Sequence, residues 1–208
     1  MLIPINELGN EQAEEKLLAD LQEYYDEVRE ILPKLPKNLQ IYFDDFCMVP
    51  EFGCGGYAYS PIIVTIAYDL NFKDKEFQQK CLRSTFFHEC YHIAQGYNGE
   101  MGEISPIEVA VYEGAATVFE REVAKTNADY GKYDETKVKG WYDKLKLLPN
   151  KYDWYSWKVY DEHDKEYSKS YRTGAYVVDR AIEKSGKSII ELNNLSAKDI
   201  LKLADLQD

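Results

Sequence analysis

The chain has 208 residues, with 25 Lys and Arg against 37 Asp and Glu, so its formal net charge is −12. This length is enough for one domain with its own hydrophobic core. The negative charge repels phosphate backbones and anionic lipids, which argues against nucleic acid and membrane surfaces as partners. No apolar run reaches the length of a membrane span. The opening stretch MLIPINELGNEQ also lacks the basic and apolar regions of a signal peptide, which favours a cytoplasmic location.

The first hundred residues alternate helical and strand patterns. The predicted elements are a helix over 11–32, a strand over 39–47, a glycine-rich turn over 53–60, a strand over 61–70 and a helix over 74–95. Pro33 and Gly96 follow the two helices, as residues that end helices commonly do.

The rest of the chain has mainly helical patterns, and the predicted helices cover about 106–124, 135–147, 172–185 and a short stretch after 196. The first of these begins at SPIE, where Ser105 and Glu108 form a capping box around Pro106. This order predicts an α+β fold with a small mixed sheet followed by a mostly helical lobe. We expect one domain over 1–208, with an α/β lobe over about 1–100, a helical lobe over about 101–208 and a cleft between them.

The pentapeptide HECYH contains two of the three histidines in the chain. On a helix, His88 and His92 lie on one face and can present two imidazoles to one metal ion. Glu89 lies one step around the helix, where its carboxylate can act on a water molecule without binding the metal. Two imidazoles suit zinc, whose catalytic sites hold three protein ligands and keep one position for water. The alternative is an ordinary helix whose histidines face solvent or the core.

The following helix offers a third ligand, Glu113, about twenty residues beyond His92. The small residues Gly114–Ala116 come directly after it and allow close contact, which we expect to be with the 74–95 helix. Thr117, one turn further, could hydrogen-bond a ligand histidine. Glu113 could instead be a surface residue, like most glutamates, in which case Glu103, Glu108 and Glu120 are the other glutamates to consider.

HExxH followed by a glutamate within EGAA resembles the gluzincin class of zinc metallopeptidases. It is especially similar to the M1-aminopeptidase-like branch and to the predicted Zn-dependent proteases that carry HExxH and EGxA. The resemblance covers about 55–205 and implies a zincin-like core. It also implies a Zn2+ ion held by His88, His92 and Glu113, with Glu89 as the general base. The metzincin pattern is excluded because it needs Gly and His where this chain has Gln95 and Asn98.

The segment YRTG (171–174) resembles the YxxG segment of the same class, whose tyrosine stabilises the tetrahedral intermediate. The resemblance therefore implies a catalytic role for Tyr171, although a packing tyrosine is the alternative. The GxMEN-type segment of the exopeptidases has no counterpart here, so aminopeptidase specificity has no support.

Three further features allow more than one interpretation. The aromatic stretch KYDWYSWKVYDEH (151–163) could line a substrate cleft, but packing between elements is the more common use of such a stretch. His163 has acidic neighbours typical of a solvated loop, and Cys90 fits a small buried residue better than a ligand.

The sequence therefore predicts a zinc metallopeptidase that acts on a peptide or protein substrate lying along the edge of the 61–70 strand. The competing hypothesis is a zinc-binding peptide-recognition or scaffold protein with little or no turnover. The general base Glu89 favours catalysis, because a purely structural site needs no base. The oligomeric state is not indicated by the sequence.

Overall fold

The computed structural model describes residues 1–96, 104–126 and 128–206. The chain divides into two compact units, an N-terminal unit (1–100) and a C-terminal unit (101–208). The first contains a small mixed sheet and the second is mostly helical, which confirms the predicted α+β class. That the two units make one catalytic domain remains a prediction. Within the described ranges, no helix combines the length and apolarity needed to cross a bilayer.

A four-stranded sheet and two long helices make up the N-terminal unit. The strands are β1 (Leu2–Pro4), β2 (Leu39–Phe43), β3 (Cys54–Ser60) and β4 (Ile63–Tyr68), and the helices are α1 (Glu11–Ile31) and α2 (Lys75–Gln95). The strand order is β1-β2-β4-β3. The first three strands in that order run parallel, and β3 pairs antiparallel with β4.

The predicted helix over 11–32 is confirmed as α1. Asn10 caps it by accepting a hydrogen bond from the backbone N–H of Ala13. Its buried apolar face consists of four residues that recur at helical spacing, Leu17, Leu21, Tyr25 and Val28. The apolar residues whose helical spacing predicted this helix are therefore the residues that pack it against the core.

The sheet differs from the prediction in two ways. The glycine-rich stretch at 53–60, expected to be a turn, is the strand β3, and the predicted strand over 61–70 is the inner strand β4 rather than an edge. The glycines hide the strand pattern because they have no side chains to alternate. Gly55 is needed there, since a Cβ atom would lie 1.8 Å from the carbonyl oxygen of Cys47. The edge of the sheet is therefore β3.

Helix α2 extends over Lys75–Gln95, close to the predicted 74–95. Asp74 caps its start, and Gly96 ends it in the left-handed region at φ 81°. In the second half of the helix, nearly every side chain from Ser84 to Ala94 is buried, so this part is not amphipathic. The HECYH motif therefore lies in the buried half of the helix, which packs against β3.

Six helices and a two-stranded hairpin are described in the C-terminal unit. They are α3 (Pro106–Phe119), α4 (Glu135–Leu147), α5 (Trp154–Lys158), β5 (Tyr160–Asp161), β6 (Glu166–Tyr167), α6 (Lys169–Ser185), α7 (Ile189–Leu192) and α8 (Ala197–Leu203). The predicted capping box of Ser105 and Glu108 is confirmed at the start of α3. Helix α3 continues into a π-helical turn at Glu120–Ala124, and α6 begins three residues before the predicted 172.

Gly114, the first of the small residues after Glu113, packs closely against α6. Gly114 packs against Gly174 of α6, where a Cβ on Gly114 would lie 2.0 Å from the Gly174 carbonyl carbon. A Cβ on Gly174 would lie 1.7 Å from the carbonyl oxygen of Ala110. The nearest neighbours of Gly114 therefore belong to α6, and the expected crossing with the 74–95 helix stays a prediction. A run of small residues indicates close contact without specifying the partner.

Candidate metal centre

His88 and His92 lie one turn apart on α2 with their rings side by side. Both are buried, with relative exposures of 7% and 3%. Their Nε2 atoms are 3.0 Å apart, and their ring planes cross at 80°. The two imidazoles therefore direct the same ring nitrogen towards one point, as the sequence predicts.

This geometry fits zinc. Two nitrogens at about 2.0–2.1 Å from a tetrahedral zinc ion would be about 3.3 Å apart, close to the observed separation of 3.0 Å. Two neutral imidazole nitrogens at this distance need a shared proton or a shared cation between them, because otherwise their lone pairs face each other. The donor set of two imidazoles and one carboxylate, if completed by Glu113, is also one that zinc prefers.

Glu89 is buried beside the histidines but makes a different contact. Its Oε2 atom accepts a hydrogen bond of 2.7 Å from the backbone N–H of Ala58 in β3. Gly56 allows this approach, because a Cβ there would lie 2.9 Å from Cγ of Glu89 and 2.6 Å from Cγ2 of Thr85. The edge strand thus holds the carboxylate in a fixed position. No sequence pattern indicates this hydrogen bond, although the glycine-rich stretch itself is visible in the sequence.

Substituting Gly56 with Ala should break the Ala58–Glu89 hydrogen bond, since the new methyl group would push Glu89 away from the strand. Hydrogen bonds to charged groups contribute about 1.5–3 kcal/mol, so the Ala58 amide should exchange its proton roughly ten- to a hundredfold faster. Hydrogen exchange followed by NMR measures this directly. Amides of the inner strand β4 are the control and should keep their protection. Unchanged exchange at Ala58 would mean that Gly56 does not position Glu89.

Two thiols lie close enough to Glu89 to be affected by its charge. Burial, followed by the charge of Glu89, raises the pKa of Cys47 to about 12 and the pKa of Cys90 well above its usual value. Cys90 is fully buried, which confirms its interpretation as a small core residue.

Glu113 lies in the middle of α3 and is buried, with a relative exposure of 6%. A surface position is therefore ruled out. Its Oε1 atom is 2.7 Å from the ammonium nitrogen of Lys158. The Thr117 hydroxyl donates to the backbone carbonyl of Glu113 at 2.8 Å, so its proton is used within the helix, and a hydrogen bond between Thr117 and a ligand histidine stays a prediction.

Two of the alternative glutamates have structural roles. Glu108 accepts hydrogen bonds from the backbone and the side chain of Ser105 in the capping box. Glu120 accepts a hydrogen bond from the Tyr130 hydroxyl. Glu103 lies outside the described residues. Glu113 therefore remains the preferred third ligand within this segment.

Tyr171 lies in the first turn of α6, three residues before Gly174. Its ring packs against the ring of Tyr130, with centroids 5.6 Å apart. The ammonium nitrogen of Lys158 is 6.0 Å from the centre of the Tyr171 ring, so Lys158 contacts both Glu113 and Tyr171. The Gly114–Gly174 contact packs α3 against α6 next to Glu113 and one turn after Tyr171. The C-terminal unit therefore brings Glu113 and Tyr171 together.

Part of the aromatic stretch at 151–163 packs within the unit, and its use as the lining of a substrate cleft stays a prediction. Trp157 is buried beneath Lys169, which confirms a packing role, whereas Lys158 reaches Glu113. Sequence reasoning missed Lys158, because its partner is 45 residues away and no spacing rule connects the two. His163 is exposed in the β5–β6 turn, as expected for a solvated loop.

His88, His92 and Glu113 are thus three buried side chains, each of which offers one atom to a metal ion. No curated protein and no solved structure matches the chain. A family model described as "Predicted Zn-dependent protease (DUF2268)" matches residues 19–202. Since this match spans most of the sequence, the chain belongs to that family of predicted Zn-dependent proteases.

Proposed function

We propose that this protein is a zinc metallopeptidase of gluzincin type. The observation that carries the proposal is the pair of buried imidazole nitrogens of His88 and His92, 3.0 Å apart, with the buried carboxylate of Glu89 on the same helical turn. The family assignment supports zinc dependence and proteolysis in general terms. Membership in the gluzincin class and the likeness to M1 aminopeptidases rest on HExxH and EGAA alone.

In this proposal His88, His92 and Glu113 hold the zinc ion, and Glu89 does not. Bound zinc would polarise the substrate carbonyl and make water easier to deprotonate. Glu89 would take the proton from the attacking water and pass it to the leaving amine. The hydrogen bond from the Ala58 N–H to Oε2 would hold the Glu89 carboxylate in place for this proton transfer.

The peptide substrate is proposed to add to the sheet at β3. The 61–70 strand, where we expected the peptide to bind, is an inner strand with neighbours on both sides and has no open edge. In β3 the N–H of Ala58 points away from β4, because it donates to Glu89. Along an antiparallel strand, the backbone hydrogen-bonding groups of successive residues point alternately to its two sides. The N–H and C=O of Gly56, two residues before Ala58, therefore also point away from β4. Backbone groups at that edge can pair with an extended peptide.

Tyr171 is proposed to donate its hydroxyl proton in a hydrogen bond to the oxyanion of the tetrahedral intermediate. Its position in the first turn of α6, beside Lys158 and near Glu113, supports this role. Tyr171→Phe should lower the cleavage rate roughly a hundred- to a thousandfold while leaving the zinc content unchanged. Tyr167→Phe, at an exposed tyrosine of the same unit, is the control and should retain full activity. Full activity of Tyr171→Phe would reject this role.

The proposed function is tested by incubating the zinc-loaded protein with a broad library of unstructured peptides and identifying products by mass spectrometry. Cleavage is expected, and it should stop after chelation and return when zinc is restored. Zinc-loaded protein that cleaves no peptide would contradict the peptidase proposal and favour a peptide-binding scaffold. Cleavage that persists in the fully chelated protein would contradict the role of the metal.

A further inference from the structure

Lys158 occupies an unusual place for a lysine, because it pairs with a side chain that is proposed to bind a cation. Its ammonium nitrogen lies 2.7 Å from Oε1 of Glu113. The side chain of Glu113 is 8% exposed and that of Lys158 is 24% exposed. A buried carboxylate is costly without a partner of opposite charge, and Lys158 supplies that charge from within the same unit.

The charges of Lys158 and Glu113 both act on a neighbouring side chain, Tyr152. Tyr152 has a raised pKa, and burial is the main cause. The positive charge of Lys158 lowers this pKa, while the negative charge of Glu113 raises it. The pair therefore lies in a partly dehydrated environment lined by Tyr152 and Tyr171, where charges interact more strongly than they do in water.

We propose that Lys158 is a positioning residue that acts as the counter-ion of Glu113 in the metal-free site and thereby lowers the affinity of the site for zinc. This inference rests on Glu113 being a zinc ligand, as proposed above. A zinc ion would bring a second positive charge to the carboxylate that Lys158 already neutralises. Two cations that share one carboxylate repel each other, so the Lys158–Glu113 pair stabilises the metal-free state more than the loaded state.

The sign of the effect follows from thermodynamic reciprocity. If zinc weakens the interaction of Lys158 with its surroundings, Lys158 must weaken the binding of zinc by the same factor. Removing an outer partner of a metal ligand usually lowers metal affinity about ten- to a hundredfold, because such partners orient the ligand. Here the partner is itself a cation, so electrostatic repulsion opposes the orienting effect, and we expect repulsion to dominate.

The experiment measures zinc affinity by competition with a chromophoric chelator at fixed pH, together with the melting temperature of the metal-free protein. Lys158→Met should bind zinc roughly five- to a hundredfold more tightly, and its metal-free form should melt about 5 °C lower. Lys158→Arg keeps the charge and should resemble the wild type in both measurements. Lys202→Met, at an exposed lysine of α8, is the control and should change neither.

Two further variants separate the possible failures. Lys158→Gln retains a hydrogen-bond donor without the charge, so it should also bind zinc more tightly if charge is the cause. Glu113→Gln should weaken zinc binding. In the Glu113→Gln background, adding Lys158→Met should no longer lower the melting temperature of the metal-free protein. If Glu113→Gln weakens binding but Lys158→Met and Lys158→Gln bind zinc no more tightly than the wild type, the counter-ion inference is wrong and the proposed function stands. If Glu113→Gln leaves zinc affinity unchanged, both fail, since Glu113 is then not a ligand.

Discussion

Substituting Glu89 with Gln is expected to abolish peptide hydrolysis without removing zinc. Gln has the same size as Glu, and its carbonyl oxygen can still accept the hydrogen bond from the Ala58 N–H, which is 2.7 Å long in the wild-type protein. Helix α2 should therefore keep its contact with β3. The amide cannot take a proton from water, and general-base catalysis typically contributes about a hundred- to ten-thousandfold. The cleavage rate and the zinc content of the same sample provide the measurement.

A matched control for this substitution is Glu76→Gln. Glu76 lies in the first turn of the same helix, and its side chain is 82% exposed. The chemical change is identical, so the control should keep the wild-type cleavage rate and zinc content. Equal rates for Glu89→Gln and the wild type would show that Glu89 is not the base. Loss of zinc together with activity in Glu89→Gln would indicate that Glu89 is a ligand.

The largest expected effect on stability comes from adding one methyl group at Gly174. A Cβ there would lie 1.7 Å from the carbonyl oxygen of Ala110, and neither backbone can move without separating α3 from α6. Overpacking of this kind costs about 1–3 kcal/mol and sometimes more. We expect Gly174→Ala to reach the upper end, about 3 kcal/mol, and to lower the melting temperature by about 6–12 °C. Thermal unfolding followed by circular dichroism measures this.

Gly140→Ala provides the control, with an effect of opposite sign. Gly140 lies within α4, and a Cβ there would meet no atom within 4 Å. Replacing an exposed glycine inside a helix with Ala should stabilise the protein by about 1 kcal/mol. If Gly174→Ala were as stable as the wild type, the close contact between α3 and α6 would be incorrect. The same contact positions Glu113 and Tyr171, so Gly174→Ala should also reduce any peptidase activity.

Much of the fold can be predicted because local signals agree with one another. Helix α1 shows helical spacing of apolar residues, α2 has Asp74 and Gly96 at its two ends, and the capping box at Ser105 marks the start of α3. Each of these signals depends on residues within a few positions of one another. Such signals identify an element and one of its ends well.

The errors occur where an element depends on distant contacts. Strand β3 contains Gly55 and Gly56, which carry no side-chain pattern, and only the approach of Cys47 and Glu89 explains why glycine is needed there. The order of the strands also depends on pairing, which a hydrophobic pattern does not specify. Gly114 shows the same limit, because its partner Gly174 lies sixty residues away.

The candidate site is divided in the same way. The side chains proposed to carry the chemistry can be predicted from the spacing of HECYH and from the resemblance of EGAA, since helical geometry places His88 and His92 on one face. The groups that support them do not follow from spacing. Ala58 acts on Glu89 through its backbone N–H, which every residue except proline has, and Lys158 is one of 25 basic residues. Such partners become visible only when the fold brings them together.

The central claim, that His88, His92 and Glu113 hold one zinc ion, is tested most directly by elemental analysis of protein purified without chelator. The wild type should contain about one zinc ion per chain. His88→Ala and Glu113→Ala should lose most of it while keeping the circular dichroism spectrum of a folded protein. Wild-type protein without bound metal, even after incubation with zinc, or His88→Ala protein with an unchanged zinc content, would contradict the claim.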